Sequence, residues 1–102
     1  MYTRLFYGTI QSGKEDEAWQ VLNEFAHRVK QEQRGCVLAQ VLQSSSEVIG
    51  ISTWETKQDL AAYADGELAK ELFRRITPLL MGVPTVRSYE VRLNLWDQAA
   101  MK

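Results

Sequence analysis

The residues best suited to chemistry lie in one short segment, WETKQDLAAYADG, which runs from Trp54 to Gly66. Tyr63 combines an apolar ring with a hydroxyl that needs a hydrogen-bond partner when it is buried. An unperturbed tyrosine titrates near pH 10, so Tyr63 is better suited to donate a hydrogen bond to an oxyanion than to act as a base. We predict Tyr63 as the catalytic residue. Trp54 either closes a corner of a sheet or stacks on a substrate.

Three apolar side chains elsewhere in the chain are candidates for the walls of a pocket around Tyr63: Phe6, Leu72 and Phe73. Together with Trp54 and Tyr63 they form the predicted substrate-binding set. Ordinary packing in the core is the alternative role for the two phenylalanines.

The other polar candidates have simpler explanations. Arg4 or Arg92 could attract an anionic group of a substrate, or pair across strands with Glu90. His27, the single histidine, falls on the polar side of a predicted helix at about 100° per residue. Cys36, the single cysteine, has no neighbouring base, which indicates a buried structural thiol. The sequence contains no Gly-rich phosphate loop, zinc-ligand spacing or Ser/His/Asp arrangement, and we predict no metal site.

Six main elements must position these side chains. Alternating or helical apolar periodicity predicts, in chain order, a strand over 2–10, a helix over 14–33, the strand CVLAQVLQ, the strand EVIGISTW, a pair of helices over 58–63 and after 65, and a strand TVRSYEVRLNLW. Ser44-Ser45-Ser46 is the predicted hairpin loop. The last six residues, 97–102, are predicted to be a loose tail of a single domain over 1–96.

Several residues mark the expected ends of these elements. Ser12 with Glu15 has the spacing of a capping box, and Gly35 suits a left-handed helix end. Thr56 and Asp65 are predicted to cap the two later helices. Gly50, inside a strand, indicates either a bulge or the close approach of another group.

The order strand, helix, strand, strand, helix, strand is that of an α+β ferredoxin-like βαββαβ domain. Both helices then cover one face of a four-stranded antiparallel sheet and leave the other face open. Leu5 opposes Phe6, and Val37 opposes Leu38, so both faces of the sheet are apolar. An uncovered face should be polar, and we therefore predict a homodimer through the open face.

Composition excludes several classes of function. The 102 residues carry 12 Lys+Arg and 13 Asp+Glu, a net charge of -1 that gives no basic footprint for nucleic acid. No apolar run approaches the roughly 20 residues of a membrane span, and no signal-peptide core is visible. A single cysteine suits a reducing compartment, so we predict a cytoplasmic protein.

Trp54, Thr56, Asp59, Leu60 and Tyr63 match the end of the third strand and the following helix in the antibiotic biosynthesis monooxygenase family. The chain resembles that family over roughly 2–91. The resemblance implies a dimeric α+β barrel in which each subunit has a pocket between its sheet and its helices, bordered by this corner. It also implies one of three functions: a cofactor-independent oxygenase of polycyclic phenols or quinols, a haem-degrading enzyme, or a protein without an established activity.

Haem-degrading members of that family use an Asn on the first strand, a Trp in the corner helix and a His in the next helix. The comparable positions here are Phe6, Tyr63 and Leu72, so haem degradation is disfavoured and we predict no cofactor. The leading prediction is a cofactor-independent monooxygenase acting on a small apolar or aromatic phenol or quinol. The alternatives are a non-catalytic dimeric module for ligand binding or stress, and an isomerase on the same scaffold.

Overall fold

The computed structural model describes residues 1–95. Its elements, in chain order, are β1 (Tyr2–Thr9), α1 (Glu15–Glu32), β2 (Cys36–Gln43), β3 (Glu47–Trp54), α2 (Lys57–Ala64), α3 (Glu67–Ile76), a 3₁₀ turn (Thr77–Leu79) and β4 (Thr85–Glu90). The predicted α+β ferredoxin-like fold is confirmed. The predicted tail, 97–102, and the last residue of the predicted final strand, Trp96, lie outside the described residues.

The four strands form one antiparallel sheet in the order β2-β3-β1-β4. Alternating residues of β1 and β3, among them Phe6, Val48 and Trp54, point toward the helices and are buried. They pack with the apolar residues of α1, α2 and α3 in a single core. The helices therefore cover one face of the sheet, because the buried positions of each strand recur with a period of two.

The apolar stripe predicted for the second long helix is confirmed on α3, where Leu68, Leu72 and Ile76 are buried. The hydroxyl of Thr56 accepts a hydrogen bond from the Asp59 amide at 3.1 Å, which confirms the predicted cap of α2. Gly35 has the predicted left-handed conformation, with a φ of 82°, but it does not cap α1. The helix ends at Glu32 and its cap residue, Gln33, is extended.

The other two predicted caps are wrong. Ser12 lies within a turn closed by a hydrogen bond from the Lys14 amide to the Gln11 carbonyl, and Gly13 in that turn has a φ of 88°. Lys14 is the cap residue that precedes α1, and the Glu15 carboxylate accepts from the Gly13 amide at 2.8 Å instead.

Asp65 follows Ala64, the last residue of α2, as its C-terminal cap and keeps a helical backbone. It therefore does not adopt the extended conformation that an N-terminal capping residue needs. The neighbouring Gly66 has that conformation and precedes α3 as its cap, without a side-chain hydrogen bond.

The final strand, β4, is shorter than predicted, because β1, the strand it pairs with, extends no further than Tyr2. Glu90 pairs with Tyr2 at the start of β1, and one further hydrogen bond joins the Val91 amide to the Met1 carbonyl. The predicted bulge at Gly50 is also wrong. Gly50 pairs regularly with Phe6, and the irregularity lies in β2 between Cys36 and Leu38.

The open face of the sheet carries a mixture of half-buried and exposed apolar side chains. Leu5 and Ile51 face each other across β1 and β3, and Tyr7 and Leu42 are exposed beside them. None of the helices in residues 1–95 is long and apolar enough to cross a lipid bilayer.

A charged cluster joins the outer surfaces of α1 and α3. Glu24 accepts two hydrogen bonds from the Arg75 guanidinium, at 2.7 and 3.1 Å, and Arg28 donates to Glu71 at 2.9 Å. Both guanidinium carbons lie near the Phe25 ring, at 5.2 Å for Arg75 and 5.1 Å for Arg28. The cluster holds the two helices together above the sheet.

Candidate functional site

A cavity of about 50 Å³ lies between the helix-facing side of the sheet and the three helices. Most of its wall is apolar. Space exists because Gly50 on β3 has no side chain opposite Phe6 and because Ala39 on β2 has only a methyl group. The cavity is partly open to solvent and smaller than the engineered cavity of about 150 Å³ that binds benzene. An aromatic ring can therefore be fully enclosed only when the wall moves outward.

Tyr63 lines this cavity from the last turn of α2. Only 6% of the residue is exposed, and its hydroxyl makes no hydrogen bond within residues 1–95. No fully buried side-chain oxygen or nitrogen in that range lacks a partner, so the hydroxyl retains contact with solvent. Burial raises the pKa of Tyr63, while the nearby Arg4 acts in the opposite direction. The hydroxyl is therefore protonated at neutral pH and free to donate.

Trp54 lies behind Tyr63 and does not line the cavity. Its side chain is 0% exposed, and the indole Nε1 donates to the Ser52 hydroxyl at 3.0 Å. The Trp54 and Tyr63 rings are stacked, with centroids 5.0 Å apart. The position of Trp54 is that of a buried support for the Tyr63 ring.

The three apolar candidates, Phe6, Leu72 and Phe73, all line the cavity. The rings of Phe6 and Phe73 meet edge to face with centroids 5.5 Å apart. Phe6 and Leu72 are buried, whereas Phe73 is only half-buried. Phe73 is consequently the one of these three side chains with most freedom to move.

Arg4 also lines the cavity, and among the described residues it is the one charged side chain in the wall. Its guanidinium carbon lies 5.5 Å from the centre of the Tyr63 ring. Burial lowers the pKa of Arg4, while Tyr63 and Asp65 act to raise it. Arg92, the other arginine considered from the sequence, is exposed and lies 3.9 Å from Glu90.

From the sequence alone, Arg4 and Arg92 are equal candidates for binding an anionic group of a substrate. The signal that separates them is the alternation of β1, which places Arg4 in the same row as the buried Phe6.

The single histidine and the single cysteine lie outside the cavity wall. His27 is exposed on α1, and its Nδ1 lies 2.8 Å from the Asn23 carbonyl oxygen. Cys36 is buried and free, its Sγ lies 3.5 Å from the Leu38 carbonyl oxygen, and burial raises the pKa of the thiol. Both positions are those expected of structural or surface residues.

The positions that haem-degrading relatives would use for cofactor contact, Phe6, Tyr63 and Leu72, all face the same cavity. Phe6 and Leu72 offer no donor atom to iron. Across residues 1–95, no group of three or more His, Cys, Asp or Glu side chains is placed to hold a metal ion.

The fold and the cavity define an α+β protein of ferredoxin-like topology with an apolar site between sheet and helices. The sequence matches the family model of the antibiotic biosynthesis monooxygenases over residues 1–75. The chain belongs to that family. No curated protein matches the sequence.

Solved structures share the fold at low sequence identity. A Deinococcus radiodurans protein, provisionally described as an antibiotic biosynthesis monooxygenase, has a TM-score of 0.82 and 14% identity, over 95% of this chain and 100% of its own. A Caulobacter crescentus CB15 protein with the same provisional description has a TM-score of 0.78 and 17% identity, over 88% of each chain. NE2512 of Nitrosomonas europaea, of unknown function, has a TM-score of 0.81 and 15% identity, over 94% and 93%. At such identities the similarity concerns the fold alone.

Proposed function

We propose that this protein is a cofactor-independent monooxygenase that oxidises a small phenol or quinol in the cavity between sheet and helices. The observation that carries the proposal is the Tyr63 hydroxyl, a protonated donor without a protein partner in residues 1–95, at the wall of an apolar cavity. Membership of the antibiotic biosynthesis monooxygenase family supports the same reaction class.

In this reaction the ionised substrate supplies the electrons. A hydroquinone and O₂ give a hydroxyquinone and water, so one oxygen atom enters the product and the other leaves as water with two substrate hydrogens. Negative charge develops on the phenolate oxygen and then on the peroxide. Tyr63 stabilises that charge by donating its hydroxyl hydrogen, and the apolar wall of Phe6, Leu72 and Phe73 excludes water from the intermediate.

The size of the cavity favours a single-ring substrate. At about 50 Å³ the site has room for a few water molecules. The half-buried Phe73 is the side chain proposed to swing outward when a ring enters, because Phe6 and Leu72 are held in the core. Trp54 acts on the substrate only through Tyr63 in this proposal.

Incubation of the purified protein with a panel of hydroquinones and anthrones, with and without oxygen, tests the reaction class. The proposal predicts oxygenated product from at least one compound under air and none under argon. Equal product in both atmospheres, or no product in either, rejects the monooxygenase assignment.

A non-catalytic ligand-binding module is the second candidate. It is favoured by the wall of the cavity, which within the described residues contains no carboxylate or imidazole to remove a substrate proton. Tyr63→Phe separates the two functions. A binding module predicts a change in ligand affinity with no turnover in either protein, whereas the oxygenase predicts a loss of turnover.

We further propose a homodimer through the open face of the sheet, where Leu5, Ile51 and Leu42 present apolar surface. Leu5→Lys places a charge at the centre of that face and is expected to give monomers in sedimentation, while Gln20→Lys on exposed α1 is the control. A wild-type protein that sediments as a monomer contradicts the dimer.

The free thiol of Cys36 supports a reducing compartment, and we propose the cytoplasm.

A further inference from the structure

We propose that the cavity binds an aromatic anion whose negatively charged oxygen lies against the Arg4 guanidinium. The inference rests on the proposed function, because it specifies the substrate class of the same site. It is carried by the placement of one cation in a largely apolar wall.

Arg4 occupies a central position in the sheet. On β1 it belongs to the row that faces the helices, two residues before the buried Phe6. Its cross-strand neighbours are Ser52 on β3 and Ser88 on β4. Both neighbours are neutral, and the Ser52 hydroxyl already accepts a hydrogen bond from Trp54. The strands beside Arg4 therefore supply no negative charge.

Asp65 is close enough to act on the charge of Arg4, but within residues 1–95 no carboxylate lies at ion-pair distance from its guanidinium. The other half-buried arginine in that range, Arg28, shows the usual arrangement. Its guanidinium lies within 3.5 Å of three glutamates: Glu24, Glu32 and Glu71. A partly desolvated cation without a counter-ion in direct contact is costly, so the cavity gains most from a ligand that brings a negative charge to the guanidinium.

The surroundings of Arg4 restrict the remainder of the ligand. The guanidinium and the Tyr63 hydroxyl line the same cavity, and the guanidinium carbon lies 5.5 Å from the Tyr63 ring centre. A carboxylate or phenolate oxygen accepts well from a planar guanidinium. Phe6, Phe73 and Val41 form the adjoining wall and suit an aromatic ring. The ligand class is therefore an aromatic monoanion.

The proposal also accounts for the missing base. The described wall contains no carboxylate or imidazole, so a phenol that reacts with O₂ must already be ionised when it binds. A positive charge in a partly dry site favours the ionised form of the ligand. Arg4 would act as a binding group that selects this form, and Tyr63 as the hydrogen-bond donor.

Calorimetric titration with benzoate and with benzamide, two molecules of nearly the same shape, tests the charge preference directly. Titrations under argon exclude turnover. Wild-type protein is expected to bind benzoate about tenfold or more tightly than benzamide, as a charge-assisted hydrogen bond would give. Arg4→Gln should abolish the preference, because the affinity for benzoate falls to that for benzamide. Arg92→Gln, at an exposed arginine already close to Glu90, should behave as wild type.

Three results overturn the proposal: equal affinity of wild-type protein for the two probes, no binding of benzoate, or an undiminished preference in folded Arg4→Gln. If Arg4→Gln does not fold, the comparison of the two probes on wild-type protein still decides. Arg4→Lys is the second variant, and it should bind benzoate more weakly because an ammonium group is a point charge and lacks the planar fork of a guanidinium. Binding of benzoate without any oxygen uptake on phenols would remove the monooxygenase and keep the anion site. Oxygen uptake on phenols by a protein that does not bind benzoate would keep the monooxygenase and remove the anion site.

Discussion

The indole of Trp54 stacks on the phenol ring of Tyr63, with the ring centroids 5.0 Å apart and the planes inclined by 21°. Trp54 ends β3 and Tyr63 lies in α2, so the contact fixes the helix against the end of the sheet. Because Trp54 is fully buried and hydrogen-bonded to Ser52, it holds the Tyr63 ring at the cavity wall.

Loss of this support should cost stability. Trp54→Ala removes a fully buried aromatic side chain and is expected to lower the free energy of unfolding by about 3–5 kcal/mol. Trp19→Ala is the matched control, since Trp19 is 47% exposed, and it should cost below about 1 kcal/mol. Urea unfolding measures both, and equal losses would show that Trp54 does not anchor the corner.

Filling the cavity should separate stability from function. A methyl group at Gly50 would lie 3.6 Å from the Phe6 Cβ, an ordinary contact, and Gly50 lies in the cavity wall. Gly50→Ala is expected to keep or raise stability by up to about 1 kcal/mol, while kcat/KM falls about tenfold or more from lost space.

Gly8→Ala gives the opposite combination and is the control for Gly50→Ala. Its methyl group would approach Leu80 to 2.6 Å, so stability falls, and Gly8 is not part of the cavity wall. Unchanged turnover in a folded Gly50→Ala protein would place the reaction elsewhere.

The turn between α1 and β2 depends on a glycine for two reasons. Gly35 has a φ of 82°, and a Cβ there would lie 2.8 Å or less from three side-chain atoms of Asp59. Gly13 has a φ of 88° with nothing within 4 Å. Gly13→Ala should therefore cost only the backbone strain, about 1–2 kcal/mol, and Gly35→Ala should cost more. Urea midpoints that rank the two variants in the reverse order would contradict this account.

The free energy of unfolding should decrease in acid, in part because Glu24 becomes protonated. The hydrogen bond from Arg75 is the largest cause that lowers the pKa of Glu24 below its ordinary value of 4.5. A carboxyl group with a lower pKa in the folded state contributes stability above its unfolded pKa, and this contribution disappears as the pH falls through the folded pKa. Glu24→Gln should flatten the curve of urea midpoint against pH in that acidic window.

Arg75→Gln should produce the same flattening, and the double variant should add little to either single variant. Additive effects of the two substitutions would mean that the Glu24–Arg75 pair is not the source of the pH dependence.

Local patterns predicted much of this architecture. The spacing of Leu68, Leu72 and Ile76 predicted the buried stripe of α3, and the Thr56 hydroxyl caps α2 as its sequence position indicated. Ser12 does not cap α1 because it lies in a turn, and Asp65 does not cap α3 because its backbone is helical at the end of α2. Helix capping depends on backbone conformation as well as residue type.

The site depends more on distant pairing than on local pattern. Phe6 and Phe73 were predicted as pocket walls, and the structure brings both to one cavity. The cross-strand neighbours of Arg4 are neutral, and this follows only from the register that sets Ser52 and Ser88 beside it. The size of the cavity required Gly50 to lie opposite Phe6. A sequence contains these residues but not the alignment of strands so far apart in the chain.

The pH dependence of turnover should also report on Tyr63. Burial is the largest influence on this residue and raises the pKa of its hydroxyl above the ordinary value of 10.0. Because the reaction needs the protonated donor, activity attributable to Tyr63 should be constant through neutral pH and fall only in strongly alkaline solution. A decline already near neutral pH, absent from Tyr63→Phe, would contradict the assignment of Tyr63 as a donor.

Oxygen consumption by wild-type protein and by Tyr63→Phe, measured with an oxygen electrode and a hydroquinone substrate, tests the central claim most directly. The account predicts one O₂ consumed for each hydroxyquinone formed, one labelled oxygen atom in the product when labelled O₂ is supplied, and a kcat about 100-fold lower in Tyr63→Phe. Wild-type oxygen uptake no faster than in buffer, or an equal kcat in the two proteins, would contradict it.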